Sequence, residues 1–256
     1  MSPKTFDFER FLATCDNNLK SSFEAIHYFP TLDSTQHALH RLGNRVMPVL
    51  CIADLQTHGV GAGRNTQWHS FATQNITFSL SCRLPKTPGY PPLSIVCGLL
   101  IAEFFRNTTA LPIKLKWPND LWLESKKLGG ILIDTFYSAE HYSFILGVGL
   151  NYVLTPIQQA LLPQATSLWE HTQDLPPREE LVSQLLNFLI PRLLSLDLAH
   201  AQEYIQLWPD YDAFYNQKMR VQNMDGIDKG INTDGSLNLL TNNGIKRVYS
   251  THIDIA

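Results

Sequence analysis

The chain predicts an α+β domain followed by a small β appendage, on three observations. Strand-like and helical runs alternate without a repeat through residues 1–215. Leucines at i, i+3 and i+4 spacing then mark one long helical stretch, "REELVSQLLNFLIPRLLSLDLAHAQEYIQLW". After Tyr215 the texture changes to short alternating runs separated by Asp-Gly and Asn-Gly, turns that accept the positive φ tight hairpins require. Mixed elements first and strands only afterwards is the order of an α+β fold. The division falls at 1–215 and 216–256.

Each element has its own signal. "LDSTQHALHRLGN" starts a helix at Asp33 or Ser34, places Ala38, Leu39 and Leu42 on one face and stops at Gly43. "PVLCIADLQ" is a buried strand bounded by Pro48 and a polar loop. "NITFSLSCRL" sets Ile76, Phe78 and Leu80 against polar neighbours, which predicts a half-buried strand. A buried helix covers Leu93 to Phe105, and its interruptions at Ser94, Gly98 and Glu103 leave it short of a membrane span. "IKLKW", "LWL", "GGILID" and "HYSFILGVGLNYV" are four strands in close succession. The leucine-rich helix is expected to break at Pro191, which lacks an N–H.

With 44% hydrophobic and 17% charged residues, the chain has the balance of a folded soluble protein. A formal charge of −3 argues against DNA or an acidic membrane as partner. Cys15, Cys51, Cys82 and Cys97 lie far apart with no CxxC pair, so reduced thiols in a cytoplasmic protein are expected. The first residues show no signal peptide.

Three loops could carry chemistry. In "QTHGVGAGRNTQW", Gly59, Gly61 and Gly63 let backbone approach a ligand, and Arg64 adds a forked cation. A surface loop with no ligand fits the same stretch. Trp68 could stack on a flat base or plug the core, and taken alone the core is favoured. In "KWPNDLWLESKKLGGIL", Asn119 and Asp120 are turn formers in their own right, and Lys127 could be a solvated lysine. Against that, the chain enters a buried strand directly after Lys127, with Gly129 and Gly130 leaving room beside it. In "GVGLNY", Gly147 and Gly149 suggest a bulge or close approach, and Asn151 closes the run. Helix capping accounts for Ser34 and Thr35.

Taken in order, these stretches resemble the biotin–protein ligases, from about Leu32 to the C-terminus. The strongest part, "KWPNDLWLESKKLGGILID", looks like the family's KWPND…KxxGIL signature, supported by "LDSTQ", "QTHGVGAGR", "GVGLN", "ATSLWE" and "KGINTDGSL". The resemblance implies a mixed sheet with flanking helices, like the class II aminoacyl-tRNA synthetases, plus a small C-terminal SH3-like β-barrel domain. It implies formation of biotinyl-5′-adenylate from biotin and ATP, then transfer to a lysine of a biotin carboxyl carrier protein. By position, Ser34, Thr35, Gln56, Gly59, Gly61, Lys127, Gly129 and Gly130 would hold biotin. Arg64, Trp68, Asn119 and Asn151 would lie around the nucleotide, Asp120 would help order Mg²⁺, and Lys127 and Arg64 would serve the chemistry.

There are two departures. Val60 and Ala62 stand where the family's loop has arginines, and "STHIDI" replaces a Gly-Glu pair near the end. About 30 residues precede "LDSTQ", which suits a ligase-only form without a winged-helix DNA reader. Strand edges of such a fold leave a homodimer open. The rival readings are a lipoate–protein ligase, whose Arg-Arg and Gly-Gly-Gly signature is absent, and a non-catalytic biotin or adenylate binder, which the arginine-poor loop would favour.

Overall fold

The structure is a computed structural model that describes residues 5–43, 47–63, 66–85, 92–137 and 141–250. Arg64 and residues 251–256, which include most of "STHIDI", lie outside the described residues. Two short helices open the chain, α1 (Phe8–Thr14) and α2 (Asn17–Ser21), each capped by an aspartate that accepts the N–H three residues on. There follow β1 (Ala25–Leu32), α3 (Thr35–Leu42), β2 (Val49–Gln56), the small pair β3 (Gly59–Val60) and β4 (Gln67–Trp68), and β5 (Asn75–Pro85). Next come α4 (Leu93–Thr109), β6 (Lys114–Lys116), β7 (Asp120–Leu123), β8 (Lys126–Tyr137) and β9 (His141–Asn151). Helices α5 (Pro156–Leu161), α6 (Leu168–His171), α7 (Arg178–Leu194) and α8 (Leu198–Tyr211) lead to β10 (Lys218–Val221), β11 (Met224–Ile231), β12 (Leu237–Thr241) and β13 (Gly244–Val248).

The main sheet has seven strands in the order β1-β2-β5-β9-β8-β7-β6. Only β1 and β2 run parallel; the other neighbours are antiparallel, so the sheet is mixed as expected. One face packs on α4 and α7 around Leu50, Phe78, Leu80, Phe105, Ile131 and Leu146. The other face is covered by α3, whose Leu39 meets Val49, Cys51 and Ile145. All four cysteines are buried and free.

Three sequence expectations need correction. β5 is not half-buried: Asn75, Thr77 and Ser79, its polar alternates, are at most 2% exposed because α3 and the site cover that face. Pro191 does not end α7. It lies in the last turn, where the helix loses only the bond from residue 191 to the Asn187 carbonyl and continues to Leu194, and the break falls at Ser195, ahead of α8, which Asp197 caps. Asp225-Gly226 is not a turn but part of β11; the turn is Gln222-Asn223, with φ of 49° and 65°. A Cβ at Gly226 would lie 2.6 Å from Leu239, so this glycine serves packing.

The expected β module is a four-stranded antiparallel sheet, β10-β11-β12-β13. Leu237, Leu239 and Val248 join the main core rather than forming one of their own. The turn before β12 carries Gly235 at φ 75°, and its carbonyl accepts the Trp117 indole N–H at 2.9 Å. The module is thereby fixed behind the Trp117–Asp120 turn.

Candidate active site

Lys127 is aimed by a β-bulge. Between β7 and β8 the register steps from Leu121↔Gly129 to Trp122↔Lys127, so Leu128 has no partner of its own. Regular alternation with Gly130 and Leu132 would point Leu128 to their face and Lys127 to the core. The extra residue reverses this: Leu128 is fully buried, and Lys127 turns toward Gly130 and bonds Asp120 Oδ1 through Nζ at 2.6 Å. Asp120 and Gly130 face each other across the strands, and a residue without a side chain at 130 leaves the lysine its path. The Lys127 backbone is held from the far side, its N–H donating to Gln164 and its carbonyl accepting from Thr166. Asn151 donates to the Thr166 carbonyl at 2.9 Å and accepts from Asn75 at 2.9 Å, so it positions the strap behind Lys127.

On one side of Lys127 lies a cleft of about 480 Å³, the space at its open mouth included. Its wall is polar and bonded to itself, and Thr35, Gln36 and Ser79 within it are buried. Ser34 caps α3 and is 1% exposed. Gln56 Oε1 accepts from the Thr35 N–H at 2.7 Å. The Thr35 and Ser79 hydroxyls lie 2.8 Å apart, Ser79 reaches Gln36 Oε1 at 3.0 Å, and Gln36 Nε2 donates to Asp134 at 2.7 Å. The opening is bordered by Val60, Gly61 and Ala62 of the glycine loop, whose Gly61 N–H donates to Thr66.

On the other side a second cleft of about 730 Å³ runs between Gln67–His69, Asn151 and the Leu161–Ala165 segment. Trp68 and Lys127 line both clefts and form the wall between them. The Trp68 indole rests on Gly149, where a Cβ would lie 2.7 Å from the ring, and its buried Nε1 has no partner among the described residues. Trp68 is therefore a partition with an unused donor rather than a core plug.

Of the residues singled out from sequence, Ser34, Thr35, Gln56, Gly61, Trp68, Asn119, Lys127 and Gly130 line the first cleft, and Asn151 the second. Gly59 lies under Trp68, and Gly129 packs on the Gly149 carbonyl, so both shape neighbours of the cleft rather than its lining. Asn119 cross-links its turn to Ile131, accepting its N–H and donating to its carbonyl. Sequence reasoning missed Gln36, Ser79, Asn75, Asp134 and Thr166. The signal for Ser79 was present in the polar half of β5, read there as facing solvent.

Residues 28–151 match the biotin/lipoate A/B protein ligase family. The chain is 33% identical to a biotin–[acetyl-CoA-carboxylase] ligase of Mycobacterium tuberculosis over 203 residues, covering 74% of this chain and 72% of the relative. It is 30% identical to the bifunctional ligase/repressor BirA of Bacillus subtilis over 243 residues, covering 89% and 73%. A point mutant of biotin protein ligase from Aquifex aeolicus in complex with biotin superposes with a TM-score of 0.71 at 26% identity, over 90% of this chain and 97% of that one. The Aquifex aeolicus enzyme in complex with biotin and ATP gives 0.67 at 25% identity, over 90% and 97%. With relatives of this identity matched over more than two thirds of their length, and a fold shared almost end to end, the chain belongs to the biotin–protein ligase family.

Proposed function

We propose that this enzyme joins biotin to ATP as biotinyl-5′-adenylate in the paired clefts, then passes the biotinyl group to a lysine of a biotin carboxyl carrier protein. The carrying observation is that Lys127 stands where the two clefts meet. A carboxylate arriving from the 480 Å³ side and an α-phosphate arriving from the 730 Å³ side would both face Nζ. As the carboxylate attacks phosphorus, charge builds on the non-bridging oxygens, and a cation already in place stabilises it without reorganisation. In the second step the same cation faces the acyl carbonyl and the departing phosphate.

The ureido head group of biotin carries one carbonyl and two N–H groups. Gln56 suits the carbonyl: the Thr35 N–H occupies Oε1, which leaves Nε2 as a donor. The Thr35 and Ser34 hydroxyls would take the N–H groups. Adenine would lie against Trp68 beside Asn151, with Asn119 holding the turn beneath the phosphates. The glycine loop would close over the adenylate and keep water from the mixed anhydride. Arg64 sits in that loop's sequence and would add charge there.

Mg²⁺ would travel with ATP and offset phosphate charge. No group of three His, Cys, Asp or Glu side chains is disposed to hold a metal among the described residues, and Asp120 has one carboxylate oxygen engaged by Lys127. That donor set suits an ion held mainly by phosphates and water, with Asp120 contributing its other oxygen.

On this reading residues 1–215 carry catalysis and 216–256 form the small β domain. No described helix is long and apolar enough to cross a membrane; four buried free thiols and the net charge of −3 support a cytoplasmic enzyme without DNA affinity. Among the described residues β1 has one neighbour in the sheet, and its other edge could pair two copies. The test is biotin-dependent ATP–pyrophosphate exchange followed by labelling of a carrier domain. Exchange with lipoate in place of biotin, or binding without exchange, would overturn the proposal.

A further inference from the structure

We infer that Gln36 is a positioning residue that fixes the direction of the hydrogen bonds in the cleft wall, so that Thr35 meets the ligand only as an acceptor. This rests on the reading of that cleft as the ureido site.

The direction follows from counting protons. Gln36 Nε2 faces Asp134 Oδ2 at 2.7 Å and the Ile145 carbonyl at 3.1 Å, and both can only accept. The amide therefore cannot flip, and Oε1 must face Ser79. An amide oxygen cannot donate, so the single Ser79 proton goes to Gln36. Ser79 is then the acceptor in its 2.8 Å contact with Thr35, and Thr35 must supply that proton. Among the described residues, the other internal acceptor bonded by the Thr35 hydroxyl is Gln56 Oε1 at 3.1 Å. Either way the Thr35 proton is used inside the wall. What Thr35 shows the cleft is a lone pair.

The sequence makes room for this device. Gly147 is the cross-strand partner of Ser79, and a Cβ there would lie 2.7 Å from Gln36 Oε1. Any larger residue at 147 would displace the amide from Ser79. Asp134 is held from outside by His40 Nε2 at 2.7 Å, so the anchor of the chain is itself fixed. Gln36 is 4% exposed and part of the cleft lining, but its polar atoms are committed to Asp134, Ile145 and Ser79. It acts through Thr35.

The consequence is selectivity. A wall with fixed direction accepts a ring N–H at Thr35 and repels a ring oxygen there, two acceptors having no proton to share. The probes are biotin and its two cyclic carbamates, in which one or the other ureido N–H is replaced by ring oxygen. The readout is kcat/KM in ATP–pyrophosphate exchange. The wild-type enzyme should prefer biotin over the carbamate that places oxygen at Thr35 by about 100-fold or more, since a buried site built for an N–H strongly rejects its absence.

Gln36→Met keeps the length and removes both ends of the amide. Ser79 can then donate to Thr35, Thr35 can turn its proton outward, and the preference should fall at least about fivefold, with the KM for ATP unchanged. Ser79→Ala, a deletion of one oxygen, should shift the preference the same way and serves if Gln36→Met does not fold. Equal losses for biotin and carbamate in the folded variant would make Gln36 a packing residue and overturn the inference. Thr35→Val separates the layers. If it leaves the biotin KM unchanged, the ureido reading itself fails and takes the inference with it. If it raises that KM while Gln36→Met keeps the wild-type preference, only the inference fails.

Discussion

The two clefts that meet at Lys127 differ in how finished they are. On the smaller side, Thr35, Gln36, Gln56, Ser79 and Asp134 bond one another, with Thr35, Gln36 and Ser79 buried between α3 and the sheet. On the larger side half of the lining comes from loop residues, His69 and 162–165, Leu161 is 68% exposed, and the Trp68 indole N–H is buried without a partner among the described residues. A bonded wall is preorganised and loses little freedom when a ligand arrives; an open wall with an unpaired donor is completed by its ligand. On the proposed assignment of the clefts, biotin meets a rigid surface and the nucleotide side orders around what it binds.

Lys127 belongs to both sides, and its removal should have the largest effect. In Lys127→Ala we expect kcat for adenylate formation and for transfer each to fall about 100-fold or more, the scale of losing a preorganised charge partner. The melting temperature should change little, since the side chain is 41% exposed. Single-turnover kinetics of the two half-reactions check this. A loss confined to one of them would mean the lysine serves one cleft only.

Gly149→Ala tests the partition. The new Cβ would fall 2.7 Å from the Trp68 ring, so the indole must move. If Trp68 stacks on adenine, part of about 1–3 kcal/mol of stacking is lost, and the KM for ATP should rise about tenfold. The KM for biotin should change much less, because Ser34, Thr35 and Gln56 remain in place. Equal changes would erase the distinction drawn between the clefts.

Thr35→Val is a smaller and opposite probe. It removes one hydroxyl and keeps the shape and the Thr35 N–H bond to Gln56. One neutral hydrogen bond to ligand is worth about 1 kcal/mol, so the biotin KM should rise about fivefold to tenfold with the ATP KM unmoved. Initial-rate kinetics in each substrate read both numbers.

The same contrast governs what the sequence disclosed. Local rules sufficed where a residue's role depends on its own neighbours: the α3 cap at Ser34, the helix across Leu93, and the turn holding Gly235. The resemblance then placed the residues that line the clefts. Hidden from local reading were features set by a partner strand. Lys127 faces the site only because β8 carries one residue more than β7 at Leu128, and no pattern within "KKLGGILID" states that. Gly147 was legible as a close approach, but not that the approaching group is Gln36. Alternation in β5 gave the right two faces; which cover lies on the polar one is a tertiary fact.

The smallest effect concerns the joint between α8 and the β module, where two carboxylates are buried close together. Asp228 is 1% exposed, and burial, then the charge of Asp212, pushes its carboxyl up to about 6. Burial also raises Asp212, despite its bonds from the Trp208 indole and the Phe214 N–H. For Asp228 the folded value lies above the unfolded one, near 3.9. Below about pH 3.9 both states hold the proton and nothing is lost. As pH rises toward 6 and beyond, the unfolded chain releases the proton more readily, so stability falls through that window and the full penalty applies at neutral pH. Asp228→Asn removes the charge and keeps an oxygen for the Gly230 N–H, which Asp228 accepts at 2.7 Å. After the desolvation of the new amide, a gain of about 1 kcal/mol at pH 7.5 is expected, or a few degrees in melting temperature. At pH 5 the difference should shrink, because the wild-type carboxyl is then mostly protonated. Both KM values should stay at wild-type levels, since the joint holds the module in place without lining either cleft. A lowered ATP KM together with the raised melting temperature would show that tightening the module also orders the open cleft, and the two sides would then differ in coupling as well as in rigidity.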